Sequence, residues 1–134
     1  MSSANEKKVA ALEAVKYIKD GMTVGLGTGS TAFFMIEAIG EMVRNGLKIK
    51  AVATSEETEK LAKKLGINVI SLAEAKRLDV TIDGADEVDS QFQLIKGGGG
   101  ALLREKIVAH NSDLNIIIAD SSKQVSRLGQ FKLP

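Results

Sequence analysis

The stretch "MTVGLGTGSTAFF", residues 22–34, predicts a short buried strand that turns directly into a helix. The turn is rich in glycines and in hydroxyl side chains: Gly25, Gly27, Gly29, Thr28, Ser30 and Thr31. Glycine lets the main chain approach a ligand closely or adopt a positive φ, and hydroxyls both donate and accept hydrogen bonds. Such a turn at a helix N-terminus suits an anion, most often a phosphate. The alternative is a tight turn whose glycines serve packing alone.

Strands and helices alternate along the rest of the chain. The further strands are predicted at "KIKAVAT", "INVI", "DVTID", "FQLIK" and "LNIIIAD", with helical segments between them and before the first strand. Because continuous apolar strands are typical of a parallel sheet covered on both faces, we predict an α/β, Rossmann-like layered domain. It has a mostly parallel sheet with helices on both faces, and ligands bind at the carboxyl ends of its strands.

The helices carry more specific expectations. In the first helix, residues at three-residue spacing form the predicted buried face: Val9, Leu12, Val15 and Ile18. The helix "SEETEKLAKKLG" is predicted to begin after Ser55 as N-cap and to end at Gly66. The apolar face of the helix "GALLREKIVAHN" is assigned to Leu102, Leu103, Ile107 and Val108.

Composition excludes several classes of protein. The chain has 134 residues, enough for one domain with a real core, and a formal net charge of +1 that gives no broad attraction to nucleic acid or an anionic membrane. Aromatic residues make up 4%, which argues against a base-stacking surface. The absence of cysteine excludes disulfides and thiolate chemistry. We find neither a signal peptide nor an apolar run of the ~20 residues that a membrane span needs, and expect a cytoplasmic protein.

One alternative is a dinucleotide-binding domain, because "GTGSTA" matches the G-x-G-x-x-A form of that fingerprint. Such domains place an acidic residue at the end of the second strand to bind the ribose hydroxyls. Here that strand ends with Thr54 and Ser55, and Glu56 comes slightly late. The lysine of a P-loop is missing as well. These departures favour a terminal monophosphate over a nucleotide.

Two carboxylates lie at the end of the strand "DVTID" and just after it, in the segment "DVTIDGADEVD". Asp83 and Asp86 flank Gly84, which permits a sharp turn. Close carboxylates can split their pKa values and divide acid and base work, and they can also bind sugar hydroxyls or a metal. The alternative is a solvated acidic turn, to which Glu87 and Asp89 are assigned.

A run of glycines, Gly97–Gly100, lies in "LIKGGGGALLREKI". Ordered glycines are entropically costly, so the run resembles an anion-binding nest whose successive N–H groups face one cavity. Lys96 stands directly before it, and Glu105 follows on the next helix. Periodicity does not decide which face Glu105 occupies, and pattern alone favours an ordinary surface position. Lys123, after the last strand, is placed either to reach a ligand phosphate or to stay solvated.

The segments "GLGTGSTA", "DVTIDGADEVD", "IKGGGGALLREKIVA" and "IADSSKQVSRLG.F.LP" together resemble ribose-5-phosphate isomerase, type A, in order, spacing and wording. The resemblance covers nearly the whole chain, from the N-terminal helix to Pro134. It implies an enzyme of the pentose phosphate pathway that interconverts D-ribose 5-phosphate and D-ribulose 5-phosphate. It implies neither metal nor organic cofactor, and a homo-oligomer in the full-length form.

The resemblance also implies roles for particular residues. Its substrate-binding positions fall on Thr28, Gly29, Ser30, Thr31, Asp83, Gly84, Ala85, Asp86, Lys96, Gly97, Gly98, Gly99 and Lys123. Its catalytic base falls on Glu105, and Lys7 stands where the family has a basic residue near the phosphate. In an enediolate mechanism, Glu105 moves the proton between C2 and C1, while Lys96 and the glycine N–H groups stabilise the oxyanion. Asp83 is the candidate acid/base for ring opening, with Asp86 orienting hydroxyls or Lys96.

The chain departs from the family in its length. Members continue past Leu133–Pro134 into a second, smaller α/β domain, so we expect residues 1–134 to form a single catalytic domain without it. Surface that the second domain covers would be exposed, and the pocket would be wetter. Three alternatives stay open. They are a non-catalytic sugar-phosphate-binding domain, a dinucleotide-binding domain, and another enzyme of the same broad fold, such as an amino-sugar-phosphate deaminase or a CoA transferase.

Overall fold

Strands and helices alternate along the chain in the computed structural model, which describes residues 2–131. The α-helices are α1 (Ser3–Ala14), α2 (Ser30–Arg44), α3 (Glu56–Lys64), α4 (Leu72–Ala75) and α5 (Leu102–His110). The strands are β1 (Thr23–Leu26), β2 (Lys50–Ala53), β3 (Leu78–Gly84), β4 (Glu87–Val88), β5 (Leu94–Ile95) and β6 (Ser112–Ile118). Short 3₁₀ helices cover Val15–Tyr17 and Ser121–Lys123. The final "LP" of the last sequence motif lies outside the described residues.

The main sheet has the strand order β2-β1-β3-β6, and its paired strands are parallel. Helices α1 and α2 cover one face, where the larger core lies. Helices α4 and α5 cover the other face, where Val52, Leu78 and Val108 form a smaller core. The predicted α/β architecture, with a mostly parallel sheet and helices on both faces, is therefore confirmed. Among residues 2–131, no helix is long and apolar enough to cross a membrane.

A glycine in the middle of β1 lets α5 lie close to the sheet. A Cβ built on Gly25 would lie 2.8 Å from Cγ1 of Val108 and 2.9 Å from Cβ of Thr81. Glu105 precedes Val108 by three residues, and these two are the buried residues of α5. Residues at this spacing share one face of a helix. The packing at Gly25 therefore helps to turn Glu105 toward the sheet.

The buried face predicted for the first helix is right at Val15 and Ile18 but wrong at Val9 and Leu12. Val9 and Leu12 are 53% and 46% exposed, whereas Ala11 and Ala14 are almost completely buried. A strict three-residue spacing drifts around a helix, since each step of three falls short of a full turn of 3.6 residues. The buried stripe instead continues from the alanines to Val15, with the i, i+3, i+4 spacing of a helix face.

Three other expectations also differ from the structure. On α5, Leu102, Leu103 and Ile107 are exposed rather than buried. The strand β6 lies at the edge of the sheet, which leaves the apolar side chains of Leu114 and Ile117 partly exposed. The segment "INVI" makes only an isolated bridge to β2, and the predicted strand "FQLIK" is β5, which pairs antiparallel with the unpredicted β4. Strand β6 and the segment "INVI" lie at the two ends of the main sheet, where hydrophobicity along the sequence does not report burial.

The caps of α3 lie where the sequence predicts them. The side chain of Ser55 accepts a hydrogen bond from the backbone N–H of Thr58. Gly66 follows the end of the helix with φ +81°, a left-handed conformation that favours glycine.

Candidate active site

A pocket of about 110 Å³ lies at the carboxyl ends of β1 and β3, where parallel α/β sheets bind ligands. Its lining consists of Thr28, Gly29, Ser30, Thr31, Gly84, Ala85, Asp86, Lys96, Gly97, Gly98, Gly99, Ala101, Glu105 and Lys123. Every substrate-binding position named from the sequence is in this lining except Asp83. Ala101 is a lining residue that sequence reasoning did not name.

One ammonium group lies between two buried carboxylates at the inner end of the pocket. Nζ of Lys96 lies 3.3 Å from Oε1 of Glu105 and 3.6 Å from Oδ2 of Asp83. It also donates a hydrogen bond to the backbone carbonyl of Gly84. Glu105 is only 7% exposed, so the surface position that its sequence pattern favours is wrong. Because both carboxylates are shielded from bulk water, the Coulombic interactions among the three charged side chains are strong.

Burial raises the pKa of the Glu105 carboxyl above its ordinary value, and the negative charge of Asp83 raises it further. The ammonium of Lys96 opposes both effects. Burial likewise raises the pKa of Asp83, against the charge of Lys96 and two backbone hydrogen bonds. A carboxylate with a raised pKa binds a proton more readily, which suits a group that must take a proton from carbon and return it.

Asp83 is held in place by the backbone and faces a second cleft. Its Oδ1 accepts hydrogen bonds from the N–H groups of Thr28, at 3.1 Å, and Gly84, at 2.7 Å. A side chain on Gly27 would collide with this carboxylate. The second cleft, of about 590 Å³, is mostly apolar and is also lined by Lys96 and Glu105. The charged cluster thus separates the pocket from this cleft.

The N-termini of α2 and α5 both open into the pocket without a side-chain cap. Ser2, Ser55 and Ser71 cap α1, α3 and α4 through their hydroxyls. At α2 the N-cap is Gly29, with φ +107°, and no side chain of the described residues caps it or α5. The first N–H groups of a helix have no partner within it. At these two helices they are available to an anionic ligand.

Two lysines lie near the hydroxyl-rich turn. Nζ of Lys7 donates to Oγ of Ser30 at 2.8 Å and lies 3.7 Å from Oδ2 of the buried Asp120. Lys123 lines the pocket. Lys7, on α1, does not line the pocket and contacts the hydroxyl-rich turn through its hydrogen bond to Ser30. Both lysines add positive charge at the end of the pocket where the sequence predicts a phosphate.

The glycine run is partly bonded within the chain. The N–H of Gly98 donates to Oδ2 of Asp86 at 2.7 Å, and the N–H of Gly100 donates to the carbonyl of Gly97 at 3.0 Å. The interpretation of the whole run as a nest of free N–H groups therefore holds only in part. Gly99 has open space around it, into which a Cβ would project without contact.

Comparison with known protein families shows where the chain belongs. The sequence model of the family described as ribose 5-phosphate isomerase A (phosphoriboisomerase A) matches residues 50–134. The chain belongs to the ribose-5-phosphate isomerase A family.

Relatives and solved structures extend the match to the N-terminal part of the chain. Ribose-5-phosphate isomerase A of Listeria monocytogenes is 59% identical over 97% of this chain and 58% of its own length. A solved D-ribose-5-phosphate isomerase in complex with phospho-erythronic acid is 42% identical, with a TM-score of 0.94 over 97% of this chain. The isomerase of Methanocaldococcus jannaschii is 43% identical, with a TM-score of 0.92. The chain spans about 58% of the length of each of these proteins.

A network of hydroxyl groups lies beneath the hydroxyl-rich turn, and the sequence analysis of this isomerase-family chain did not predict it. Oγ1 of Thr28 lies 2.7 Å from Oγ1 of Thr54 and 2.9 Å from Oγ of Ser55. Oγ1 of Thr58 donates to the carbonyl of Gly27 at 2.8 Å. The hydroxyl of Thr28 is thus turned toward α3, and the network fixes the turn. The signal was the segment "VATSEET", where small hydroxyl residues replace the acid of a dinucleotide site.

Proposed function

We propose that the chain carries the catalytic domain of an aldose–ketose isomerase that interconverts D-ribose 5-phosphate and D-ribulose 5-phosphate. The observation that carries the proposal is the position of Lys96 between Glu105 and Asp83, beside two uncapped helix N-termini. The relatives' names support this activity, and the phospho-erythronic acid bound to one solved isomerase supports a sugar phosphate as ligand.

The phosphate end of the substrate is bound at the start of α2. The free N–H groups of its first turn, the hydroxyls of Ser30 and Thr31 and the positive charge of Lys7 all suit a terminal phosphate. Lys123, which lines the pocket, adds a further cation. Binding energy from this non-reacting group serves to position the reacting carbons at the opposite end.

The proton transfer takes place at Glu105. In the direction from aldose to ketose, its carboxylate takes the proton from C2 of the open-chain sugar and returns it to C1, while a proton passes from O2 to O1. Negative charge develops on the enediolate oxygens between these steps. The ammonium of Lys96, 3.3 Å from Glu105, is fixed in place to stabilise that charge.

The substrate is mostly a closed ring, and we assign ring opening to Asp83 as acid/base. Asp86 binds the N–H of Gly98 through Oδ2, which leaves Oδ1 for a sugar hydroxyl. A homo-oligomer in the full-length form and a cytoplasmic location stay predictions. So does the single catalytic domain over residues 1–134.

The direct test is the conversion of ribose 5-phosphate by the purified chain, followed by ketose formation and by incorporation of solvent deuterium at the transferred hydrogen. We expect conversion without added metal or cofactor. Binding of the sugar phosphate with no conversion would favour the non-catalytic alternative. A thermal shift with NAD alone would favour the dinucleotide-binding alternative. The same assay on a chain extended to the length of the relatives shows how much activity the additional residues contribute.

Replacing Ser30 with alanine is expected to raise KM for ribose 5-phosphate by roughly 10- to 100-fold, because a hydrogen bond to a charged group contributes about 1.5–3 kcal/mol. The value of kcat should change little, since the phosphate lies away from the reacting carbons. Steady-state kinetics measure both constants. Ser90→Ala, on an exposed turn of the β4–β5 hairpin, is the matched control. A fall in kcat with an unchanged KM would contradict the binding role of Ser30.

The pH dependence of kcat/KM follows from the raised pKa of Glu105. The base must be deprotonated, so activity is lost as pH falls through this pKa. We expect the midpoint of this loss above the ordinary glutamate value of about 4.3. Because Asp83 raises the pKa of Glu105, Asp83→Asn should move the midpoint to lower pH in the activity that remains. A midpoint that stays in place would assign the acid limb to another group, such as the substrate phosphate.

A further inference from the structure

Glu87 is a buried carboxylate outside the pocket, and its assignment to a solvated acidic turn was wrong. It is only 3% exposed. Its Oε1 accepts a hydrogen bond from the N–H of Gly129, and its Oε2 accepts one from the N–H of Phe131, each at 2.8 Å. Because a buried carboxylate is costly without partners, these charge-assisted bonds hold the segment around residues 129–131 firmly against β4.

The held segment carries an aromatic ring onto the glycine run. A Cβ built on Gly98 would lie 2.6 Å from Cε1 and Cζ of the Phe131 ring and 3.0 Å from Oδ1 of Asp86. Gly98 does not have a positive φ, so its backbone conformation does not require glycine. The Phe131 ring and the Asp86 carboxylate require glycine there, because they leave no room for a side chain. Gly98 is therefore enclosed between Phe131 on one side and Asp86, which accepts its N–H, on the other.

A further backbone bond ties the chain shortly before this segment to the same hairpin. The N–H of Val125 donates to the carbonyl of Val88 at 2.9 Å, next to Glu87 in the chain. The contacts from Glu87 to the pocket are thus continuous. The Glu87 carboxylate binds the backbone of residues 129–131, and the ring of Phe131 lies against Gly98. A glycine run has many accessible conformations, and restricting it before the substrate binds lowers the entropic cost of binding.

We propose that Glu87 and Phe131 form a clasp that positions the glycine run Gly97–Gly100 at the mouth of the pocket. The clasp rests on the proposed isomerase function for its catalytic consequence, but not for its existence. Glu87 and Phe131 are positioning residues: the ring of Phe131 lies against Gly98, and Glu87 acts through the backbone of residues 129–131. Their effect reaches the reaction through the backbone N–H groups of the run and through Asp86.

Amide hydrogen exchange in the ligand-free protein tests the clasp without reference to activity. Glu87→Gln removes the second accepting oxygen, and Phe131→Ala removes the ring. Either variant should speed exchange of the Gly98 amide by about tenfold or more, as expected for loss of charge-assisted bonds or packing that closes a local opening. The matched control is Asp89→Asn. Asp89 also accepts two backbone N–H groups of the same hairpin, from Gln91 and Gln93, but on its exposed turn.

The control should leave the Gly98 amide unchanged. If exchange at Gly98 is as slow in Glu87→Gln and in Phe131→Ala as in the parent, the clasp does not exist. Phe131 is 37% exposed, so its truncation keeps the test open even if the buried Glu87→Gln variant fails to fold.

Steady-state kinetics then test the positioning role. We expect kcat/KM for ribose 5-phosphate to fall by about tenfold in each variant, because donors lose their fixed geometry. The double variant should be little worse than either single one, since both act through the same contact. Faster exchange with unchanged kcat/KM would overturn the positioning role. An inactive parent protein would count against the proposed function, while the exchange result would still decide the clasp.

Discussion

Glu105→Gln is expected to lower kcat for ribose 5-phosphate by roughly 10²- to 10⁴-fold, the contribution of a placed general base. Glutamine keeps the size and the hydrogen-bonding oxygen of the side chain but cannot take a proton at neutral pH. It also keeps the contact with Lys96, which lies 3.3 Å away. KM should change little, because the proposed phosphate site at α2 is not altered. Steady-state kinetics, with single-turnover measurements to isolate the chemical step, check the result.

Glu57→Gln is the control for the loss of one negative charge, since Glu57 is exposed on α3. We expect it to have the activity of the parent protein. Thermal unfolding of both variants shows whether the fold is kept. If Glu105→Gln keeps the kcat of the parent, Glu105 is not the base and the assignment of the reaction to this pocket fails.

Lys96→Met is expected to lower kcat by roughly 10²- to 10³-fold, the effect of removing one fixed donor to a developing oxyanion. The variant also leaves the carboxylates of Asp83 and Glu105 without the cation between them. Lys96 lowers the pKa of both groups, so both values should rise further when it is removed. The acid limb of kcat/KM should therefore move to higher pH, the opposite direction from Asp83→Asn.

The same substitution has a consequence for stability. A carboxyl whose pKa is higher in the folded than in the unfolded state favours folding below its unfolded pKa, and this contribution is lost as pH rises through the folded pKa. Lys96→Met should therefore lose stability between mildly acidic and neutral pH, as urea denaturation at several pH values would show. Lys106→Met, at an exposed position of α5, is the control. In the kinetic test, an acid limb of kcat/KM that stays at the same pH in Lys96→Met would show that Lys96 does not set the charge of Glu105.

Periodicity and turn chemistry predict the layered fold because they are local. The strand before Gly27 and the cap at Ser55 depend on residues within one turn of the chain. The burial of Leu103 and Leu114 could not be predicted in the same way. Whether an apolar side chain is buried depends on which strand ends at the edge of the sheet, and that is a matter of long-range pairing.

The residues of the site could be named from the sequence only through the resemblance to the family. Pattern alone favoured a surface position for Glu105 and a solvated turn for Glu87, yet both are buried. For Glu105 the reason is the packing of α5 on Gly25, which is 80 residues away in the chain. For Glu87 it is a pair of backbone donors from residues 129 and 131. Neither partner is visible in the local pattern.

The order of the elements, the hydroxyl-rich turn and the types of the charged residues all follow from short segments, since each depends on neighbours along the chain. The juxtaposition of one ammonium with two carboxylates does not, because Asp83, Lys96 and Glu105 come from three different elements. Their distances are set by how β3, the hairpin and α5 pack on one another. Charge and reactivity therefore belong to the sequence, whereas the raised pKa values, which arise from burial and proximity, belong to the tertiary structure.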